Sequence, residues 1–271
     1  MPTDFTTTVL TIAGSDPYGG AGLQIDTKVI HALGAYAFSV TTALSAQNSF
    51  GVSSVDVSAG AIFAQQLDTL LSDVKVDAVK IGMLGNRELI HIVCEMIDKY
   101  QLHNIVLDTV FLSSSGAMLL EEEAIEEMQN ELFPRVDLIT PNLAEINRIL
   151  GTSYKGEKNE VKEIAEHFLA RGIKTVLVKG GHGLDEINAT DYLIENGLLS
   201  HTFTSSRVQT THTHGTGCFL SAAIATGLAK GQTLSKSIAE AKDFLTQRLK
   251  DSASLKFKYV KKNEIRKEPL L

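Results

Sequence analysis

Thr8-Val9-Leu10-Thr11-Ile12-Ala13, then Gly14-Ser15-Asp16-Pro17, then Gly19-Gly20-Ala21-Gly22, then apolar residues at helical spacing over 23–33, set the fold of this chain. A short apolar run, a glycine-bearing turn and an amphipathic stretch make a strand–turn–helix unit. The unit recurs. Residues 38–44 are β-rich, and 60–72 carry apolar side chains at helical spacing. Ala78-Val79-Lys80-Ile81-Gly82-Met83 reads as a buried strand before a helix over 88–99. Asn104-Ile105-Val106-Leu107-Asp108 is a strand ending in an acid, before an acidic helix over 121–132. Val136-Asp137-Leu138-Ile139-Thr140-Pro141-Asn142 runs into a helix, Leu143–Leu150, stopped by Gly151. A helix over 160–171 precedes Thr175-Val176-Leu177-Val178-Lys179, which ends in Gly180-Gly181. Apolar runs of this kind alternating with helices predict an α/β fold, with a central, mostly parallel sheet and helices on both faces. Residues 189–204 alternate polar and apolar and predict an antiparallel edge or hairpin. The basic tail over 256–267 reads as a solvated end. No repeat, low-complexity linker or change of composition divides the chain, so a single domain over 1–271 is expected.

Composition narrows the function classes. The net charge is −7, with 44% hydrophobic and 21% charged residues, which argues against nucleic acid or an anionic membrane as main partner. Cys94 and Cys218 are the only cysteines, so no disulfide scaffold is indicated and a cytoplasmic location is expected. Residues 1–8 carry neither a basic nor an apolar leader region, and no apolar run approaches the ~20 residues of a membrane span.

In open α/β sheets ligands bind beyond the carboxyl ends of the strands. The segments expected there are Gly14-Ser15-Asp16, Ala46-Gln47-Asn48, Gly82-Met83, Asp108-Thr109-Val110, Pro141-Asn142-Leu143-Ala144-Glu145, Lys179-Gly180-Gly181 and Gly215-Thr216-Gly217-Cys218. Acids, amides, a lysine and glycine turns suit a nucleotide phosphate, a carboxylate-held metal and a small polar substrate. The last segment says most. His214-Gly215-Thr216-Gly217-Cys218 opens an apolar helical stretch, so unpartnered N–H groups and the helix dipole favour a negative charge in front of it. A thiolate at Cys218 is favoured by the same field. The segment reads as an anion-stabilising loop with one reactive side chain, the equipment of phosphoryl transfer. Weaker patterns are set aside. Gly19-Gly20-Ala21-Gly22 matches neither common nucleotide-loop spacing, His212 and His214 lack further zinc ligands, and Cys94 falls in an apolar helical pattern.

Taken together, the segments resemble the hydroxymethylpyrimidine/phosphomethylpyrimidine kinases of thiamine biosynthesis, within the ribokinase-like superfamily. The resemblance rests on LTIAGSDP at 10–17, GGAGLQ at 19–24, ALSAQN at 43–48, KIGML at 80–84, VLDTV at 106–110, ITPNL at 139–143, VKGGH at 178–182 and THGTGC at 213–218, and covers about 8–245. Cys218 matters most. Ribokinase-like enzymes mostly carry aspartate there, whereas the pyrimidine kinases and one class of pyridoxal kinases carry cysteine. Tyr18, Phe111, Ser113-Ser114 and His212 depart from the family pattern.

The resemblance implies transfer of the γ-phosphoryl of ATP to 4-amino-5-hydroxymethyl-2-methylpyrimidine and then to its monophosphate. A pyridoxal or pyridoxine kinase, acting on another heteroaromatic alcohol, is the alternative. Gly215, Thr216, Gly217 and Cys218 would be catalytic, through backbone N–H groups and a thiol that accepts or orients the hydroxyl proton. Lys179, Asn142 and Gly217 would bind ATP, and Asp108 and Glu145 would hold Mg2+. Gln47 matches an aminopyrimidine edge; Gly14, Asp26, Met83 and Val110 would complete the substrate pocket. Asp26 reads equally as a helix cap or as a partner of Lys28. A homodimer is implied, with an apolar edge near 35–50 as its contact.

Overall fold

The structure, a computed structural model, describes residues 7–48, 50–111, 120–180, 187–210 and 213–251. The readings placed on Ser113-Ser114, Gly181, His182, His212 and the basic tail lie outside these residues. In chain order the elements are β1 (Thr8–Ser15), α1 (Gly22–Ala32), β2 (Tyr36–Asn48), β3 (Gly51–Val57), α2 (Gly60–Asp73), β4 (Ala78–Ile81), α3 (Arg87–Tyr100), β5 (Ile105–Leu107), α4 (Glu122–Glu127), β6 (Leu138–Ile139), α5 (Leu143–Leu150), α6 (Glu160–Ala170), β7 (Thr175–Val178), β8 (Asn188–Glu195), β9 (Leu198–Ser206), α7 (Thr216–Ala229) and α8 (Leu234–Asp251). The strands form one sheet in the order β3-β2-β1-β4-β5-β6-β7-β8-β9. From β2 to β7 every neighbour is parallel; β3, β8 and β9 are antiparallel additions at the two edges.

Side-chain alternation along the strands divides the core. Leu10, Ile12, Val79, Ile81, Leu107 and Ile139 face α2 to α6, while Val9, Ala78, Val106, Leu138 and Leu177 face α1, α7 and α8. Residues 219–227 of α7 are all buried, because α7 packs against α1, α8 and strands β1, β4 and β5. A helix walled in on all sides must be apolar all round. α5 ends at Gly151, whose φ of 67° takes the left-handed cap that glycine adopts without a Cβ penalty. The expected hairpin is β8–β9, closed by Asn196 and Gly197, both at positive φ, the combination a tight hairpin turn requires.

Several boundaries differ from the sequence reading. The acidic helix over 121–132 divides at Met128, where a π-turn (Met128–Leu132) and a 3-10 turn (Phe133–Arg135) follow α4. Pro134 has no N–H to continue the α pattern there. β2 runs on to Asn48 and pairs with β3, whose serines and glycine hid it. α8 has no counterpart in the sequence reading, because its lysines, glutamate and glutamine dilute its apolar face. No helix among the described residues is long and apolar enough to cross a membrane.

Candidate active site

The sheet brings its carboxyl-end segments to one place. Asp108, directly after β5, is buried, and Lys179, directly after β7, reaches it with Nζ 2.8 Å from Oδ1. The Thr140 hydroxyl donates to the same oxygen at 3.2 Å. Burial opposes the Asp108 charge, but the Lys179 and Lys80 ammonium groups outweigh it and hold this carboxyl below the usual range. Glu145 stands beside the pair. It belongs to a capping box at the start of α5: the Asn142 amide N–H donates to Glu145 Oε2 at 2.7 Å, and the Glu145 N–H donates to Asn142 Oδ1 at 3.0 Å. The Thr109 hydroxyl also donates to Oε2, at 2.9 Å. Burial, against the pull of Lys179 and reinforced by the Asp108 charge, pushes Glu145 up to about 7. Two buried carboxylates thus share one lysine, and the cluster carries excess negative charge.

The start of α7 lies over this cluster. A Cβ added to Gly217 would sit 3.2 Å from Asp108 Oδ2 and 3.3 Å from Lys179 Nζ. Gly215 is the N-cap, at φ 78°, and a Cβ there would lie only 1.7 Å from the Gly20 carbonyl oxygen. The turn over 16–22 is therefore pressed backbone to backbone against the anion loop. Asp16 organises that turn by accepting the N–H groups of Tyr18, Gly20 and Ala21 at 2.9, 3.1 and 2.9 Å. His214 Nε2 lies 3.1 Å from Asp16 Oδ2 and 3.1 Å from Gln47 Nε2. Burial opposes the Asp16 charge, yet its bonds to His214 and these amides keep the carboxyl low. Gln47, on the β2 extension, is thereby fixed against the loop that precedes Cys218. Gly14 and Met83 are neighbours at the ends of β1 and β4: a Cβ on Gly14 would meet the Met83 sulfur at 3.4 Å. Val110 follows Asp108 in a tight turn, its N–H donating to the Asp108 carbonyl at 2.8 Å.

Three expectations change. The Cys218 thiol is not lowered; burial pushes it up to about 12, against the pull of Lys80 and an N–H donated by Gly22, with Asp26 and Asp108 adding to the rise. Desolvation of the sulfur exceeds what a helix terminus returns. The Thr216 N–H donates to the Thr213 carbonyl at 3.3 Å, so that amide is already partnered within the loop. Asp26 neither caps a helix nor pairs with Lys28. It is fully buried, 2.7 Å from Lys80 Nζ and 2.7 Å from the Thr11 hydroxyl, so no ligand reaches it in this conformation. Sequence reasoning assigns Lys80 no role; a lysine inside the apolar run Ala78-Val79-Lys80-Ile81 is the signal that marks it.

Comparisons with known proteins give the family and the fold. The family model described as phosphomethylpyrimidine kinase matches residues 16–263. The chain is 44% identical to the hydroxymethylpyrimidine/phosphomethylpyrimidine kinase of Escherichia coli (strain K12), over 91% of this chain and 92% of that protein. It is 35% identical to the protein of the same name from Bacillus subtilis (strain 168), over 91% and 90%. Among solved structures, Clostridium difficile phosphomethylpyrimidine kinase superimposes with a TM-score of 0.77 at 36% identity, covering 89% of this chain and 98% of that one. An ADP complex of Bacillus subtilis pyridoxal kinase superimposes with a TM-score of 0.84 at 32% identity, covering 92% and 94%.

Proposed function

This chain belongs to the phosphomethylpyrimidine kinase family, and from that premise we propose that its site phosphorylates 4-amino-5-hydroxymethyl-2-methylpyrimidine and then the monophosphate, with ATP as donor. The observation that carries the reading is the α7 start, with Gly217 over the Asp108–Lys179 pair. A transferring phosphoryl group needs positioning and charge compensation more than covalent help. The Gly217 and Cys218 amides face the charge that builds on that group. Lys179 and Asn142 hold the nucleotide phosphates, Lys179 exchanging part of its contact with Asp108 for them. Gln47 presents its amide to the pyrimidine edge, with Gly14, Met83 and Val110 around the ring. The Cys218 thiol, protonated near neutral pH, orients the substrate hydroxyl; its oxygen bonds to the γ-phosphorus, the bond from that phosphorus to ADP breaks, and the hydroxyl proton passes to the transferred phosphoryl group.

The residues fit Mg2+. The described residues contain no cluster of three or more His, Cys, Asp or Glu able to cage a metal alone. Mg2+ does not require one, since it is commonly bound by one or two carboxylates together with substrate phosphates and waters. Asp108 and Glu145 would hold it, and a cation would offset the burial and the Asp108 charge that together raise Glu145. When bound, the ion neutralises phosphate charge.

Pyridoxal phosphorylation is the second reading, favoured by the superposition on pyridoxal kinases at a TM-score of 0.84. Incubating the protein with Mg-ATP and a panel of hydroxymethyl heterocycles, with mass spectrometry of products, tests both. Mono- and diphosphorylated pyrimidine is expected; transfer to pyridoxal alone would overturn the first reading. A homodimer through the β2–β3 arm is supported by Leu44 and Phe50, 60% and 88% exposed there, and sedentary monomers in analytical ultracentrifugation would refute it.

A further inference from the structure

β8 and α8 share a buried ion pair that the chemistry described so far does not use. Lys242 on α8 and Asp191 on β8 have side chains only 9% and 7% exposed, with Lys242 Nζ 2.6 Å from Asp191 Oδ2. Taking two charges out of water is costly, and well-packed apolar residues in their place are often as stable or more so. Stability alone therefore gives little reason for the pair. The second carboxylate oxygen gives another: Asp191 Oδ1 accepts the Gly180 N–H at 2.9 Å. Gly180 directly follows Lys179.

The β7–β8 ladder closes with Val178 opposite Tyr192. Beyond it the Lys179 N–H points the other way and donates to the Pro141 carbonyl at 3.0 Å, where Lys179 bridges to Asn142. The next N–H, that of Gly180, meets the Asp191 carboxylate. The backbones are close there: a Cβ on Gly180 would lie 1.8 Å from the Thr190 carbonyl oxygen. The main chain around Lys179 is thus gripped from both sides while its Nζ reaches Asp108. Lys242 ties this grip to α8, which packs against α7. The α7 start returns to the same lysine, since a Cβ on Gly217 would lie 3.3 Å from Lys179 Nζ.

We propose that Asp191, locked by Lys242, is a positioning residue for nucleotide binding: through the Gly180 N–H it sets where the Lys179 ammonium stands relative to the anion loop. The inference rests on the nucleotide role given to Lys179 above. A carboxylate is the stronger acceptor for that amide, and Lys242 compensates its charge where water is excluded. The Gly180 N–H is taken by Asp191, so the segment offers a phosphate its lysine and not that amide.

The test compares two double variants that both remove the buried charges. Asp191→Asn with Lys242→Gln keeps an oxygen for the Gly180 N–H and a hydrogen bond between the two side chains. Asp191→Leu with Lys242→Met keeps the bulk and removes the acceptor. Melting curves check that both fold. Should the apolar pair fail to fold, Asp191→Glu replaces it, keeping both charges and displacing the acceptor by one methylene. The readouts are the Kd of Mg2+ and a non-hydrolysable ATP analogue by calorimetry, and KM for the pyrimidine. The apolar pair is expected to bind the analogue about tenfold more weakly than wild type, within the hundredfold that a displacement of about 1 Å costs in a positioning element. The Asn–Gln pair is expected to stay within about twofold of wild type, and KM for the pyrimidine to change little in either. An apolar pair that binds the analogue like wild type would overturn the proposal. So would equal losses for the analogue and the pyrimidine, or equal losses in the two double variants, since these mark a packing role. Lys179→Met is the reference. If it too binds the analogue like wild type, the nucleotide role of Lys179 fails and this inference falls with it. If it binds weakly while the apolar pair does not, this inference alone falls.

Discussion

Gly215→Ala isolates what the anion loop contributes. An alanine Cβ would lie 1.7 Å from the Gly20 carbonyl oxygen, 2.8 Å from its carbon and 3.4 Å from the Ala21 Cα, all backbone atoms. Carbon and oxygen rarely approach within about 3 Å, so one of the two turns must retreat by more than about 1 Å. Neither is free to do so cheaply: Asp16 holds Gly20 and Ala21 by their amides, and His214 ties the loop to the same carboxylate. The left-handed backbone at φ 78° adds about 1–2 kcal/mol of strain for a residue with a Cβ. With about 1–3 kcal/mol for the overpacked contact, the expected loss is roughly 2–5 kcal/mol. A domain of ordinary stability, about 5–15 kcal/mol, remains mostly folded after that. Turnover should suffer more than folding, since a displacement of about 1 Å in a positioning element costs on the order of a hundredfold. The assay is kcat by coupled ADP release beside urea unfolding. Gly151→Ala is the control: it shares a positive φ of 67°, yet nothing lies within 4 Å of its added Cβ. It should cost about 1 kcal/mol and leave kcat intact. If Gly215→Ala unfolds like Gly151→Ala and turns over like wild type, the loop does not position the phosphoryl group.

Lys179→Met leaves Asp108 and Glu145 buried without their cation. Stability should fall by about 3–5 kcal/mol in urea titration, as for other broken buried pairs, and a variant as stable as wild type would contradict the charge cluster. Gln47→Ala should raise KM for the pyrimidine more than KM for ATP in steady-state kinetics, because the amide sits across the loop from the phosphate cluster; equal effects would refute its assignment. The Cys218 thiol, pushed up to about 12, should be almost wholly protonated at neutral pH. Its alkylation rate should then climb about tenfold per pH unit with no plateau below about pH 10, and a plateau near neutrality would show a lowered thiol instead.

The division between sequence and tertiary structure follows interaction range. Strand–turn–helix order, the stop at Gly151, the hairpin within 189–204 and the glycine-bearing start of α7 depend on residues a few positions apart, so the chain displays them openly. The sheet rule then brought Asp108, Glu145, Lys179 and Cys218 to one end without any knowledge of contacts. Electrostatics was not legible in that way. The Lys179–Asp108 pair spans 71 positions and the Lys80–Asp26 pair spans 54. Their strength depends on water being excluded from both partners at once. Asp26 read as a pocket residue because its position in α1 says only which helix carries it, not that β1 and β4 would enclose it. Cys218 read as acidified because the helix terminus is visible in sequence, whereas the desolvation that overrides it exists only when α1, β4 and β5 close around the sulfur.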